Sequence, residues 1–178
     1  MAEPRATEAD FVEALADYLE RPSDRARDRL LRSVQLAPNF RPELNLAAIL
    51  LPMLDSGDLK TAVRAHSALL PGAFLSPIYH ELAGKIARAA GDAEGEARAD
   101  YFRRMCLRLI LDSGEGTLAA PWHVLMTGDE YAVLADQGLV SNEQRLVRTD
   151  EGYFDVHTID QDRIVWFALP AGILGDAQ

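Results

Sequence analysis

The sequence has a single cysteine, Cys106, so an intramolecular disulfide cannot form and a reducing compartment fits the chain. No apolar run approaches the roughly 20 residues of a membrane helix, and the longest run, from Leu46 to Leu54, contains Pro52. The first residues include the acidic Glu3 and no apolar run of signal-peptide length. We therefore predict a cytoplasmic protein that has no membrane partner.

Basic residues are scarce in the last third of the chain. Residues 1–111 contain 16 acidic and 15 basic residues, whereas residues 112–178 contain 12 acidic and 3 basic residues. The net charge of −10 therefore falls almost wholly on the second part. An acidic surface repels the phosphates of nucleic acids, and the first part has no broad basic face. We predict that nucleic acid is not a partner.

A weak 34-residue repeat runs through the first part. Gly57-Asp58 recurs as Gly91-Asp92, and Ser23-Asp24 stands one period earlier. This period is the length of a two-helix repeat whose units bury their apolar faces by stacking. Apolar residues at helical spacing, interrupted by prolines, predict six helices near residues 7–20, 23–36, 42–54, 58–70, 76–90 and 92–111.

Glycine spacing in these units resembles that of a known family. Gly84 stands seven residues before Gly91, and Gly57-Asp58 is followed by the small residue Ala62. These spacings resemble the tetratricopeptide repeat over residues 7–111. The resemblance implies three helical hairpins whose first helices line a groove for a peptide. Leu50 occupies the glycine position of the second unit, so the hairpins would be divergent, and an ordinary helical bundle is the alternative.

The pattern of apolar residues changes after the glycine-rich segment 112–117. Residues 122–126, 143–149, 153–159 and 163–169 are rich in β-branched and aromatic residues and predict strands. Thr127 and Glu130 have capping-box spacing and predict a short helix that ends at Gly138. We therefore predict an α+β fold. A tetratricopeptide-like domain spans residues 1–111, and a small acidic domain spans residues 112–178. The second domain is an antiparallel β-meander with one short helix, packed on the last long helix.

Several short motifs in the second part occur in a characteristic order. They are Trp122-His123-Val124, Asp129-Glu130-Tyr131 and Tyr153-Phe154-Asp155-Val156. Together they resemble an uncharacterised bacterial family over residues 100–169. The resemblance implies a helical part followed by a small α+β tail, and it implies no activity.

Charged residues on two predicted helices are the candidate binding residues. The acidic residues of the first helix recur at spacings of three and four and form one stripe, and the repeat register places two basic residues of the fifth helix on the same groove. These candidates are Asp10, Glu13, Asp17, Glu20, Lys85 and Arg88. The leading prediction is a non-catalytic adaptor that binds a protein or peptide partner there. A solvated helix face is the alternative interpretation of the stripe.

Enzymatic chemistry has weaker support in the sequence. The four histidines and Cys106 lack metal-ligand spacing, and no glycine-rich phosphate loop occurs, so we predict neither metal nor cofactor. Asp155 and His157 share a strand face, where the carboxylate could orient the imidazole for acid–base work. The alternative function is thus an enzyme or a small-ligand-binding protein, with a site near them between the last long helix and the sheet. A structural subunit that forms a homodimer is a third possibility.

Overall fold

The chain has an α+β architecture in the computed structural model, which describes residues 6–160 and 163–170. The ends of both predicted domains lie outside the described residues. The helices are α1 (Glu8–Glu20), α2 (Asp24–Gln35), α3 (Leu46–Asp55), α4 (Leu59–Ser67), α5 (Pro77–Ala90), α6 (Ala93–Leu111) and α7 (Asp129–Asp136). The strands are β1 (Trp122–His123), β2 (Ser141–Thr149), β3 (Gly152–Ile159) and β4 (Arg163–Ala168).

Local capping interactions set most helix starts. Ser23 and Ser76 cap α2 and α5, and Asp58 and Asp92 cap α4 and α6. The predicted start of the third helix at Pro42 is wrong. Asn45 accepts a hydrogen bond from the Ala48 backbone N–H at 2.9 Å, and α3 therefore begins at Leu46.

Helix α6 packs against α1 and α2, and helix α5 packs against α3. Cys106 and Leu109 of α6 share a buried cluster with Phe11 of α1 and Leu30 of α2. Leu82 and Tyr79 of α5 share another cluster with Leu46 and Leu50 of α3. Within the described residues, none of the helices combines the length and apolar character needed to cross a bilayer.

The sheet is mixed, which corrects the predicted all-antiparallel meander. Its strand order is β1-β4-β3-β2, and β2, β3 and β4 pair antiparallel as predicted. β1 pairs parallel with β4, placing Trp122 opposite Phe167. A parallel pair needs a long connection, and here the connection contains α7 and two strands. β1 also ends at His123, earlier than predicted.

One face of the sheet packs against α6 and α7. Phe167 and Ile159 from the strands are buried with Leu107 of α6 and Val133 of α7. Asp155 lies opposite Phe167, and His157 lies opposite Gln144 and Val165 in the strand register. The polar pair predicted on β3 therefore lies on the helix-covered face.

Candidate functional site

A cavity of about 340 Å³ lies where three helices begin. Its described lining comes from the starts of α3, α5 and α7 with their preceding loops, and from β2. The apolar lining residues are Leu44, Leu46, Ala47, Ile78 and Met126. The polar lining residues are Asn45, Ser76, Thr127, Asp129, Glu130, Tyr131 and Gln144. The volume lies at the lower end of the range of small-molecule sites, and the lining combines apolar and polar side chains.

Backbone contacts position the start of α7 at this cavity. The Thr127 backbone N–H donates to the carbonyl oxygen of Pro42 at 3.1 Å, which ties the segment before α7 to the loop before α3. A Cβ atom at Gly128 would approach Ile78 Cδ1 to 3.1 Å, so the glycine allows α7 to begin close to α5. The predicted capping box is wrong, because Gly128 is the N-cap of α7 and no side chain caps it.

Asp129, the first residue of α7, is fully buried. Its Oδ1 accepts a hydrogen bond from the Ser76 hydroxyl at 2.5 Å, whereas its Oδ2 has no hydrogen-bond partner among the described residues. Burial raises the pKa of Asp129 to about 7, although the hydrogen bond from Ser76 opposes the rise. A buried polar atom without a partner costs free energy. A hydrogen-bond partner for Oδ2 would therefore stabilise the folded protein.

Glu130 is 1% exposed and connects the cavity to the sheet. Gln144 Nε2 donates to Glu130 Oε1 at 3.1 Å, and His157 Nε2 lies 3.0 Å from Oε2. Burial raises the pKa of Glu130 to about 7, the hydrogen bond with His157 opposes this rise, and the nearby carboxyl of Asp155 adds to it. Two acids with near-neutral pKa values therefore lie side by side at one cavity.

His157 links Glu130 to Ser141. His157 Nδ1 lies 2.8 Å from Ser141 Oγ, and that hydroxyl lies 3.2 Å from the Glu143 carbonyl oxygen, to which it donates. The hydroxyl then accepts from an Nδ1–H, and Nε2 faces the Glu130 carboxyl. The imidazole is fully buried and is not among the described residues that line the cavity. Its contact with Oε2 helps to hold the Glu130 carboxyl in place.

Asp155 and His157 are both buried on one face of β3. The described hydrogen bonds connect His157 to Glu130 of α7, whereas the sequence places the alternative site against the last long helix, α6. α7 lies over this end of the sheet. The buried polar contact between helix and sheet is consequently formed by α7 and β3.

The six residues of the predicted groove lie on exposed helix surfaces. Asp10 completes the α1 capping box with Thr7, whose hydrogen bonds lower the pKa of Asp10. Arg29 of α2 lies 2.9 Å from Glu13 and 3.8 Å from Asp17. The acidic stripe, with Glu20 at the end of α1, therefore contributes ion pairs within the first hairpin.

The two predicted basic groove residues are also paired locally. Lys85 Nζ lies 2.8 Å from Glu81, one turn earlier on α5, and Arg88 Nε donates to Glu96 of α6 at 2.9 Å. Both line a depression between α5 and α6, and Asp17 lines another between α1 and α2. These two depressions share no described lining residue.

Sequence reasoning did not select the cavity residues Asp129, Glu130, Ser76 and Gln144. The available signal was the adjacent acids Asp129 and Glu130, which precede the apolar residues of a predicted helix. Within the described part of the chain, no group of three or more His, Cys, Asp or Glu side chains is arranged to hold a metal ion. The chain matches no family model, and no curated protein or solved structure is detectably similar to it.

Proposed function

We propose that the chain is a small-molecule-binding protein whose ligand occupies the cavity at the starts of α3, α5 and α7. The observation that supports this function is the fully buried Asp129, which lines the cavity and has an oxygen without a partner among the described residues. A bound group that hydrogen-bonds to Oδ2 would remove that cost. His157 is not among the described residues that line the cavity, so the proposal assigns binding and no catalytic step to this site.

Blocking the cavity tests this proposal. Ala47 of α3 lines the cavity, whereas its neighbour Ala48 is exposed and lies outside the described lining. The probes are three molecules of similar shape: cyclohexylmethylamine, cyclohexylmethanol and cyclohexanecarboxylate. Saturation-transfer NMR should detect at least one of them on the wild type and on Ala48→Phe. Ala47→Phe should abolish that signal.

Two results would contradict the proposal. One is that no probe binds the wild type at millimolar concentration. The other is that Ala47→Phe binds the probes as well as Ala48→Phe does. Circular dichroism spectra and melting temperatures of both variants would show whether each retains the fold.

A second candidate function is peptide binding by tetratricopeptide-like hairpins. Equivalent turns 34 residues apart support it, because Gly57 and Gly91 have φ values of +74° and +72° and each precedes an aspartate N-cap. Close packing at Gly84 gives no further support, since an added Cβ would lie 3.8 Å from Ala99 Cβ, an ordinary contact. In this case the protein would be a cytoplasmic adaptor without catalytic activity.

Charge reversal on α1 tests the peptide-binding function. Peptides selected by phage display on the wild type should lose binding to the double variant Asp17→Lys with Glu20→Lys. The melting temperature should stay within a few degrees, because both side chains are exposed. Equal binding by the double variant would exclude the acidic stripe as the binding surface. Light scattering across concentrations would test the homodimer.

A further inference from the structure

We propose that the cavity binds an organic ammonium ion, a primary amine attached to a small apolar body, whose charged group pairs with Asp129 beside Glu130. This inference rests on the proposed small-molecule function and adds the chemical class of the ligand. The apolar body would contact the side chains contributed by α3, α5 and the loop before α7.

The charges in the cavity favour a cation. Two carboxyl groups line it, and the described lining residues include no lysine, arginine or histidine. An anionic ligand would meet the carboxyls of Asp129 and Glu130 without a basic partner. An ammonium group instead offers three N–H donors, one of which can satisfy Asp129 Oδ2.

Helix N-termini favour anions, so an anionic ligand is the competing class. At two of the three helices a side chain already caps one first-turn amide. Asn45 Oδ1 accepts from the Ala48 N–H of α3, and Ser76 Oγ accepts from the Tyr79 N–H of α5. At the third helix, the first two side chains are the acids Asp129 and Glu130 themselves. At α7 the negative charge that a helix N-terminus favours is therefore supplied by the protein.

Binding of an ammonium ion should release protons. Burial raises the pKa of Asp129 and of Glu130 to about 7, so both carry protons part of the time at neutral pH. An adjacent positive charge favours the carboxylate form and lowers the pKa of each group. The other titratable groups facing these acids are Tyr131 on α7, Asp155 and His157 on β3, and Cys106 on α6. Amine affinity should thus increase as the pH rises through about 7, and alcohol affinity should not.

The three isosteric probes test the ligand class. At about pH 8 and low salt, calorimetric titration of the wild type should give cyclohexylmethylamine an affinity about tenfold above that of cyclohexylmethanol, with cyclohexanecarboxylate the weakest. Repeating the amine titration in buffers with different ionisation enthalpies should show proton release at about pH 6.5. Asp129→Asn should bring the amine-to-alcohol ratio close to one. Asp136→Asn, an exposed control on α7, should retain the wild-type ratio.

Failure of this inference differs from failure of the proposed function. If the alcohol or the carboxylate binds as tightly as the amine, the cavity binds small molecules but the ammonium assignment is wrong. If the amine binds without proton release, the carboxyls are not its partners and the assignment also fails. If none of the three probes binds, both proposals fail. The wild-type pH dependence decides these outcomes even if Asp129→Asn does not fold.

Discussion

Replacing Asp129 with asparagine should make the protein more stable than wild type at alkaline pH, and this advantage should shrink as the pH falls. Asparagine has nearly the same size and can still accept the hydroxyl of Ser76, but it cannot ionise. The substitution therefore removes one property, the charge that wild-type Asp129 acquires when it loses its proton inside the protein.

The direction follows from the two pKa values. Asp129 titrates near 3.8 in the unfolded chain and at about 7 in the folded chain. Between these values the folded state holds a proton that the unfolded state has released, so wild-type stability falls as the pH rises from about 4 to about 7. A rise of roughly three pKa units corresponds to about 4 kcal/mol. Across this pH range, the free energy of unfolding of the variant should therefore increase by up to that amount relative to wild type.

Another buried group changes wild-type stability in the opposite direction. Burial lowers the pKa of His80 to about 4, so its contribution to stability is lost as the pH falls from about 6.5 to about 4. The wild-type profile alone mixes both effects. Since His80 is present in both proteins, the difference between variant and wild type removes the contribution of His80.

Urea unfolding followed by tryptophan fluorescence measures this difference. Wild type, Asp129→Asn and the exposed control Asp136→Asn would be compared at about pH 5, about pH 6.5 and about pH 8. The free energy of unfolding of Asp129→Asn minus that of wild type should increase at each step, while the control difference stays flat. A pH-independent difference for Asp129→Asn would show that Asp129 ionises as easily in the folded protein as in the unfolded chain. That result would refute the argument.

Three further predictions concern the fold. Gly84→Ala should raise the free energy of unfolding by up to about 1 kcal/mol, because alanine has a higher helix propensity than glycine in the interior of α5. Gly91→Ala should instead lower it by about 1 kcal/mol, because φ is +72° at this position. Calorimetric melting checks this pair, and shifts of the same sign would contradict it. Phe167→Ala should lower the free energy of unfolding by about 3–5 kcal/mol, because the ring is fully buried. Chemical denaturation measures this loss, and a loss below about 1 kcal/mol would contradict the packing. The Cys106 thiol should not react with a thiol reagent until the protein unfolds, because it is fully buried and burial raises its pKa. Rapid reaction of the folded protein would be inconsistent with this position.

Most helix boundaries were predictable because their determinants are local. The Thr7–Asp10 capping box, the Ser23 and Ser76 caps, and the repeated glycine–aspartate turns each involve residues within a few positions of one another. The start of α3 was missed because two local signals compete. Pro42 is compatible with a first helical turn, but Asn45, three residues later, caps the helix that forms.

The parallel pairing of β1 was not predictable from the pattern of residues. Trp122 and His123 have the composition of a strand, and composition does not specify which strand pairs with them or in which direction. The pairing with Phe167 and Ala168 joins segments more than 40 residues apart. Trp122 is buried in one cluster with Leu107 of α6 and Val133 of α7, contacts that the pattern of residues near Trp122 does not specify.

Thr127 and Glu130 show why the candidate site was also missed. Their spacing is typical of a capping box, in which the glutamate would bond to the backbone at the helix start. In the fold, β2 and β3 offer Glu130 two side-chain partners, Gln144 and His157, 14 and 27 residues further along the chain. Contacts at that distance decide whether a carboxyl is solvated or buried, and helical spacing carries no information about them.

The burial of Asp129 and Glu130 connects the stability of the fold to its proposed function. Neither acid has a lysine or arginine partner among the described residues, and the raised pKa values mean that ionising either one destabilises the folded state. Leucine or methionine at these positions would avoid that cost. Residues that lower the stability of the fold are expected at functional sites, where a bound ligand offsets their cost. An ammonium group that pairs with both carboxyls would convert this destabilisation into binding free energy, so the ligand should raise the melting temperature most above about pH 7, where the empty cavity is least stable.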